Sequence, residues 1–168
     1  FLHWQKMKDE GKEFKPIFGV EAYFLPSIDE WRADYDRIKE DTKLAKTLAK
    51  EGDTSGATVE DEEASKKAIK SVLNRRRHLI LLAQNQTGLN NLFKIVSESY
   101  KEENFYRYPR VDYDMLDRHS EGVIAASACL GGPYAGNYWA NREEGPEAVR
   151  EAMRETSRRF VEIFGDRW

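Results

Sequence analysis

A chain of 168 residues with a formal charge of −3 and 34% charged residues is long enough for one domain with a sizeable core. It has no excess of positive charge with which to hold nucleic acid by bulk electrostatics, so any such contact must be local. A single cysteine excludes an internal disulfide framework and fits a reducing compartment, so the expected location is cytoplasmic, and no apolar run approaches the roughly 20 residues of a membrane-spanning helix.

The first segment, FLHWQKMKDEGKEF, opens inside a helical pattern without a cap, and is expected to be a helix entered from upstream sequence. Residues 15–25, KPIFGVEAYFL, are rich in β-branched and aromatic side chains and stop at Pro26, which predicts a strand. Residues 27–76 then break the regularity. They are highly charged, with one helical stretch around Trp31, Tyr35 and Ile38, a break at GDTSGAT, and a second stretch through Ala68, Ile69, Val72 and Leu73. The segment is expected to be a helical insertion standing off the main body. Its basic spots, Lys43, Lys46, Lys50 and 75–77, are interleaved with acids, the pattern of a solvated face.

Alternation resumes at HLILLAQ, residues 78–84, whose near-continuous apolar character suits a strand buried on both faces. Asn85 or Thr87 can cap a helix with its apolar stripe at Leu89, Leu92, Phe93, Val96 and Tyr100. A polar, aromatic loop, ENFYRYPRVDY, leads to a short helix at 114–119 and then to the strand GVIAASAC. Pro146 starts the last helix, whose inward stripe is Val149, Met153, Thr156, Phe160 and Ile163. The closing EIFGDRW passes a helix-ending Gly165 and stops where an aromatic residue typically opens the next strand. Both termini therefore read as interruptions of a longer protein. Strand-helix units in this order predict an α/β fold with parallel strands and right-handed crossovers, as an open sheet or part of a barrel.

Three potential metal ligands lie on or beside the three strands: Glu21 in FGVEAYF, His78 in RRHLILL and Cys129 in ASACLGG. Carboxylate, imidazole and thiolate together suit zinc, and the first two also suit manganese or iron. Each has an alternative. Glu21 could be salt-bridged on an edge strand, His78 could face solvent at a strand start, and Cys129 could be an apolar filler in a small-residue strand. His3 and His119 fall on polar helical faces, as surface residues. LGGPYAG lacks both the phosphate-loop lysine and the GxGxxG spacing. Arg107 and Arg110 stand among Tyr106 and Tyr108, a mixture that could stack on and neutralise a nucleic-acid strand, or line a loop packed on its own domain.

The segments KPIFGVEAYFLP, HLILLAQNQTGLNNLFKIVSESY, FYRYPRVDYDMLDRHSEGVIAASACLGG and EIFGDRW, in this order, resemble the PHP domain of the bacterial replicative DNA polymerase III alpha subunit. The resemblance covers essentially all of the chain outside 27–76. It implies part of a distorted PHP-type (β/α)7 barrel carrying a helical insertion, residues 1–168 being a partial PHP domain. It also implies that Glu21, His78 and Cys129 are metal ligands. The family's other ligands, an HxH pair, an aspartate and an Asp-His pair upstream and an Asp-x-His downstream, have no match in these residues.

Metal-bearing members of such a family hydrolyse phosphoesters, here implying 3′-5′ removal of a primer end, with zinc or manganese in the PHP site. Polymerisation by the intact protein would use magnesium and carboxylates of a later domain, so this segment alone should not polymerise. The implied partners are primer-template DNA, deoxynucleoside triphosphates, the sliding clamp and a proofreading exonuclease. Alternatives are a stand-alone PHP phosphoesterase and a noncatalytic scaffold for a separate exonuclease. Two features depart from the expected pattern. About fifty charged residues separate Glu21 from His78, and His78 begins its strand, whereas barrel enzymes place reactive groups at strand C-terminal ends.

Overall fold

The computed structural model describes residues 2–50, 67, 71 and 74–168. Helix α1 (Leu2–Asp9) precedes strand β1 (Gly19–Phe24), helix α2 (Ile28–Lys50) and strand β2 (Arg77–Ala83). Helix α3 (Gln86–Ser99), the two-residue strands β3 (Phe105–Tyr106) and β4 (Tyr108–Pro109), helix α4 (Tyr113–Arg118) and strand β5 (Val123–Ala126) follow. The chain closes with helices α5 (Pro133–Asn141) and α6 (Pro146–Phe164) and a 3-10 turn at Gly165–Arg167. The second helical stretch expected near Ala68 to Leu73, and the GDTSGAT break, lie outside the described residues. No helix among the described residues is long and apolar enough to cross a membrane.

The sheet corrects the expectation of parallel strands. Its order is β1-β2-β5, and β2 runs antiparallel to both neighbours, with Tyr23 opposite His78, Glu21 opposite Ile80 and Ile80 opposite Ala126. Only β1 and β5 share a direction. Helical connections permit a crossover to a parallel strand but do not force one. β2 is also buried on one face rather than two. Leu79 and Leu81 are sealed while His78, Ile80 and Leu82 are half-buried, so its apolar run hides a period-2 alternation.

The sealed face packs on α6 and α4 through aromatic rings. Phe24 meets Tyr113 at 4.8 Å and Phe160 at 5.2 Å between centroids, and Trp168 stacks on Phe160 at 4.1 Å and 10°. Such pairs add about 0.5–1.5 kcal/mol each beyond their buried area. The expected α6 stripe faces inward, Phe160 buried and Val149, Met153, Thr156 and Ile163 half-buried. Its outer face carries i,i+3 ion pairs such as Arg159–Glu162 at 3.1 Å.

The start of the 27–76 segment does not stand off the body. Ile28 and Trp31 belong to the core. The Asp112 carboxylate explains the docking: Oδ2 accepts from Ile28 N at 3.0 Å and Oδ1 from Met115 N at 3.0 Å, so one anion caps the first turns of both α2 and α4.

Helix α3 is rotated from its expected stripe. Asn85 is the cap, its side chain accepting from Gly88 N at 2.9 Å. The buried face is Gly88, Asn91, Leu92, Ile95 and Ser99, whereas Phe93 and Tyr100 are each 61% exposed. A close backbone approach outweighs apolar periodicity here. A Cβ on Gly88 would lie 1.8 Å from the Gly122 carbonyl oxygen, and Asn91 Nδ2 donates to Glu121 O at 2.9 Å. Gly122 itself has φ +69°, a conformation open to glycine at little cost. His119 is likewise not the surface residue expected: its side chain is 18% exposed and its Nε2 lies 3.1 Å from Glu98 Oε2.

Gly88→Ala is therefore expected to cost about 1–3 kcal/mol, read as a lower urea midpoint at unchanged slope. A second expectation concerns acid. Burial raises the Glu98 carboxyl, but hydrogen bonds and charge from His119 and Arg118 outweigh it and hold the group below its ordinary 4.5. A carboxylate lowered in the folded state contributes stability above its unfolded value, and that contribution is lost as pH falls through the folded value. Glu98→Gln should flatten the decline of thermal midpoint below pH 4.5 and change the slope near neutrality little.

Candidate metal centre

The three residues singled out as ligands meet at one end of the sheet. Glu21 and His78 are diagonal neighbours on the face of β1 and β2 turned away from the core, within reach across an antiparallel pair. Glu21 Oε1 lies 2.7 Å from His78 Nδ1. Cys129 comes from the loop after β5, and its Sγ lies 3.6 Å from the same ring nitrogen. All three are open to solvent, the Glu21 and His78 side chains being 52% and 36% exposed and Cys129 exposed.

The antiparallel sheet accounts for His78 sitting at a strand start. Because β2 runs against its neighbours, its first residues share an edge with the C-terminal ends of β1 and β5. Side chains from one strand start, from within β1 and from the loop past the end of β5 therefore converge.

The loop carrying Cys129 is shaped by its glycines. A Cβ on Gly132 would lie 1.9 Å from Ser127 O, and one on Gly131 would lie 3.3 Å from the His78 ring. Gly131 O accepts from His78 N at 2.9 Å, stitching the loop to the start of β2, and Gly131 N donates to Cys129 Sγ at 3.3 Å. Ala128 is held at φ +60°, a left-handed conformation costing a non-glycine residue about 1–2 kcal/mol. The Gly-Gly-Pro run after Cys129 is the sequence signal of this tight return. Tyr23, which sequence reasoning passed over, packs its ring 5.6 Å from His78 and carries the Arg76 guanidinium at 5.2 Å on its ring.

Zinc–ligand lengths of about 2.0–2.3 Å at tetrahedral angles place nitrogen and sulfur about 3.5 Å apart, and nitrogen and oxygen about 3.3 Å. The Cys129–His78 separation of 3.6 Å matches such an edge. The Glu21–His78 separation of 2.7 Å is shorter than such an edge by about half an ångström. Among the described residues no group of three or more His, Cys, Asp or Glu is arranged to hold a metal ion. The donor set thus has the right chemistry for part of a site, but three donors with one closed contact do not make a complete cage.

The two arginines considered for nucleic acid separate. Arg107 is exposed on the β3-β4 turn, at φ +59°. Arg110 is fully buried. Its Nε donates to Arg75 O at 3.2 Å, its Nη1 to Tyr106 O and Tyr108 O at 2.9 Å each, and its guanidinium stacks on Trp31 at 4.3 Å. Burial, and secondarily the positive charge of Arg76, pushes Arg110 down to about 10. A side chain with no exposed surface has no face for a strand, which corrects the expectation for Arg110.

A model of the PHP domain matches residues 3–167. The DNA polymerase III subunit alpha of Aquifex aeolicus is 34% identical over 166 residues, covering 99% of this chain and 11% of that protein. The subunit of the same description from Helicobacter pylori strain J99 is 39% identical over 169 residues, covering 97% of this chain and 10% of that protein. A DNA polymerase III of PolC type from Staphylococcus saprophyticus is 43% identical over 72 residues. The chain spans about a tenth of the length of the alpha subunits it matches. With the family model covering nearly every residue, this chain belongs to the PHP domain family.

Proposed function

We propose that the chain is the PHP portion of a DNA polymerase III alpha subunit, and that Glu21, His78 and Cys129 supply part of a divalent-metal site in it. The observation that carries this is the convergence of a carboxylate and a thiol on one imidazole nitrogen, at 2.7 and 3.6 Å. The covering likeness to alpha subunits over 97–99% of the chain supports the wider assignment. The segment would form part of a distorted (β/α)7 barrel, the remaining donors coming from sequence on either side.

When bound, zinc or manganese would provide a hydroxide at neutral pH and neutralise phosphate oxygens. This chain's own residues hold and orient. Glu21 and Cys129 fix the His78 ring, the Gly131 carbonyl fixes the start of β2, and the exposed face leaves a phosphodiester room to approach. The reaction so supported is 3′-5′ hydrolysis of a primer end. DNA-templated synthesis by the intact cytoplasmic protein would use magnesium, deoxynucleoside triphosphates and primer-template DNA through carboxylates outside this segment, with the sliding clamp and a proofreading exonuclease as partners.

The short Glu21–His78 contact favours one alternative, a noncatalytic platform in which the three side chains pack on one another without a metal. To separate the two, bound metal and primer-end hydrolysis are measured on the full-length protein with and without Glu21→Ala and Cys129→Ala. Each substitution should lower metal affinity at least about tenfold to a hundredfold and hydrolysis with it, polymerisation persisting. Metal-free wild-type protein, with hydrolysis untouched by either change, would establish the platform instead.

A further inference from the structure

Three consecutive arginines open β2, and their charges are answered unequally. Arg75 pairs with Asp34 at 2.8 Å. Arg76 stacks on Tyr108 at 4.4 Å and donates from Nη1 to Asn74 O at 3.1 Å, while its Nε is buried without a hydrogen-bond partner. Neither Arg76 nor Arg77 has a carboxylate partner among the described residues. Arg77 lies across α5 at Gly136, where a Cβ would fall 2.3 Å from its Nε, so a glycine makes the bed in which this guanidinium rests. Arg76 and Arg77 are both lining residues of a cavity of about 430 Å³ between the start of β2 and helices α5 and α6, lined also by Phe24, Arg75, Asn137 and Thr156. Among the described residues no carboxylate lines it.

Half-buried cations without counter-charge are costly unless an anion completes them. The guanidinium fork matches tetrahedral oxyanions with paired, charge-assisted hydrogen bonds. We propose that this cavity is a phosphate site, with Arg76 and Arg77 as the residues that hold the anion. Arg76 rests on Tyr23, whose ring packs on His78, so the cavity adjoins the candidate metal centre. A nucleic-acid strand with one phosphodiester at that centre could set a neighbouring phosphate here. That identification of the strand rests on the proposed hydrolase reading; the phosphate chemistry itself rests on the cavity alone.

The test is made on the full-length protein in chelator, so that metal binding plays no part and its failure elsewhere leaves this result standing. Inorganic phosphate is titrated against chloride at equal ionic strength, following both heat and thermal midpoint. Phosphate should bind and raise the midpoint, and Arg77→Gln should weaken that binding at least about tenfold, while Arg150→Gln on the outer face of α6 leaves it unchanged. A single-stranded oligonucleotide that displaces phosphate from the wild type identifies a strand as the occupant. One that does not displace it identifies a free phosphate in the same site. Absence of a phosphate-specific effect in the wild type, or equal binding by Arg77→Gln, overturns the proposal. Should Arg77→Gln fail to fold, Arg76→Gln serves in its place with the same required loss.

Discussion

The buried guanidinium of Arg110 is the constraint on which most of the described fold depends. Its donors reach carbonyls of Arg75, Tyr106 and Tyr108, and its plane covers Trp31. It therefore joins the entry to β2, the β3-β4 hairpin and the start of α2, three segments far apart in sequence. A buried cation is tolerable here because its contacts to carbonyls and a ring are directional and several act together. Removing the side chain would leave three carbonyls short of a donor and release the stretch that delivers His78.

That stretch matters because the candidate site is assembled from an edge of the sheet rather than from a local motif. Glu21, His78 and Cys129 come from β1, the start of β2 and the loop after β5. No spacing rule could join them, and from residue chemistry each had an equally serviceable mundane reading. Residue chemistry on three strands suggests the grouping, family resemblance decides between the ligand and the mundane reading, and antiparallel pairing explains how the grouping is built. The same reversal removes the puzzle of a ligand at a strand start, since the start of β2 and the ends of its neighbours form one edge.

What was legible and what was not divides along physical lines. The Asn85 cap, the Pro146 start and the inward stripe of α6 are local, set by backbone donors and by helical period, and the sequence predicts them. The rotation of α3 was not legible, because it follows from a contact between Gly88 and Gly122 that no apolar pattern encodes. For Arg110 the sequence leaves strand contact and packing on its own domain both open, because burial of a charge depends on partners distant in sequence. Strand direction failed for the related reason that helices and loops between strands leave it open.

The loop after β5 suggests why the centre can be both strained and self-satisfied. Ala128 adopts a left-handed backbone, and Gly131 and Gly132 pack where side chains would collide. These distortions bring Cys129 back over His78 at a separation close to a zinc-site edge, whereas the Glu21 contact is shorter than one. If the three side chains hold a metal as proposed, the thiol is the donor fixed by the loop backbone and the carboxylate, in a side-chain contact, the one free to adjust. On the proposed metal reading, an ion entering from the exposed face would replace both the Glu21 and the Cys129 contact to the His78 ring nitrogen with its own. The Glu21–His78 contact is between partly exposed side chains, where a charged pairing contributes at most about 1 kcal/mol, a small opposition compared with the affinity of a complete ligand set.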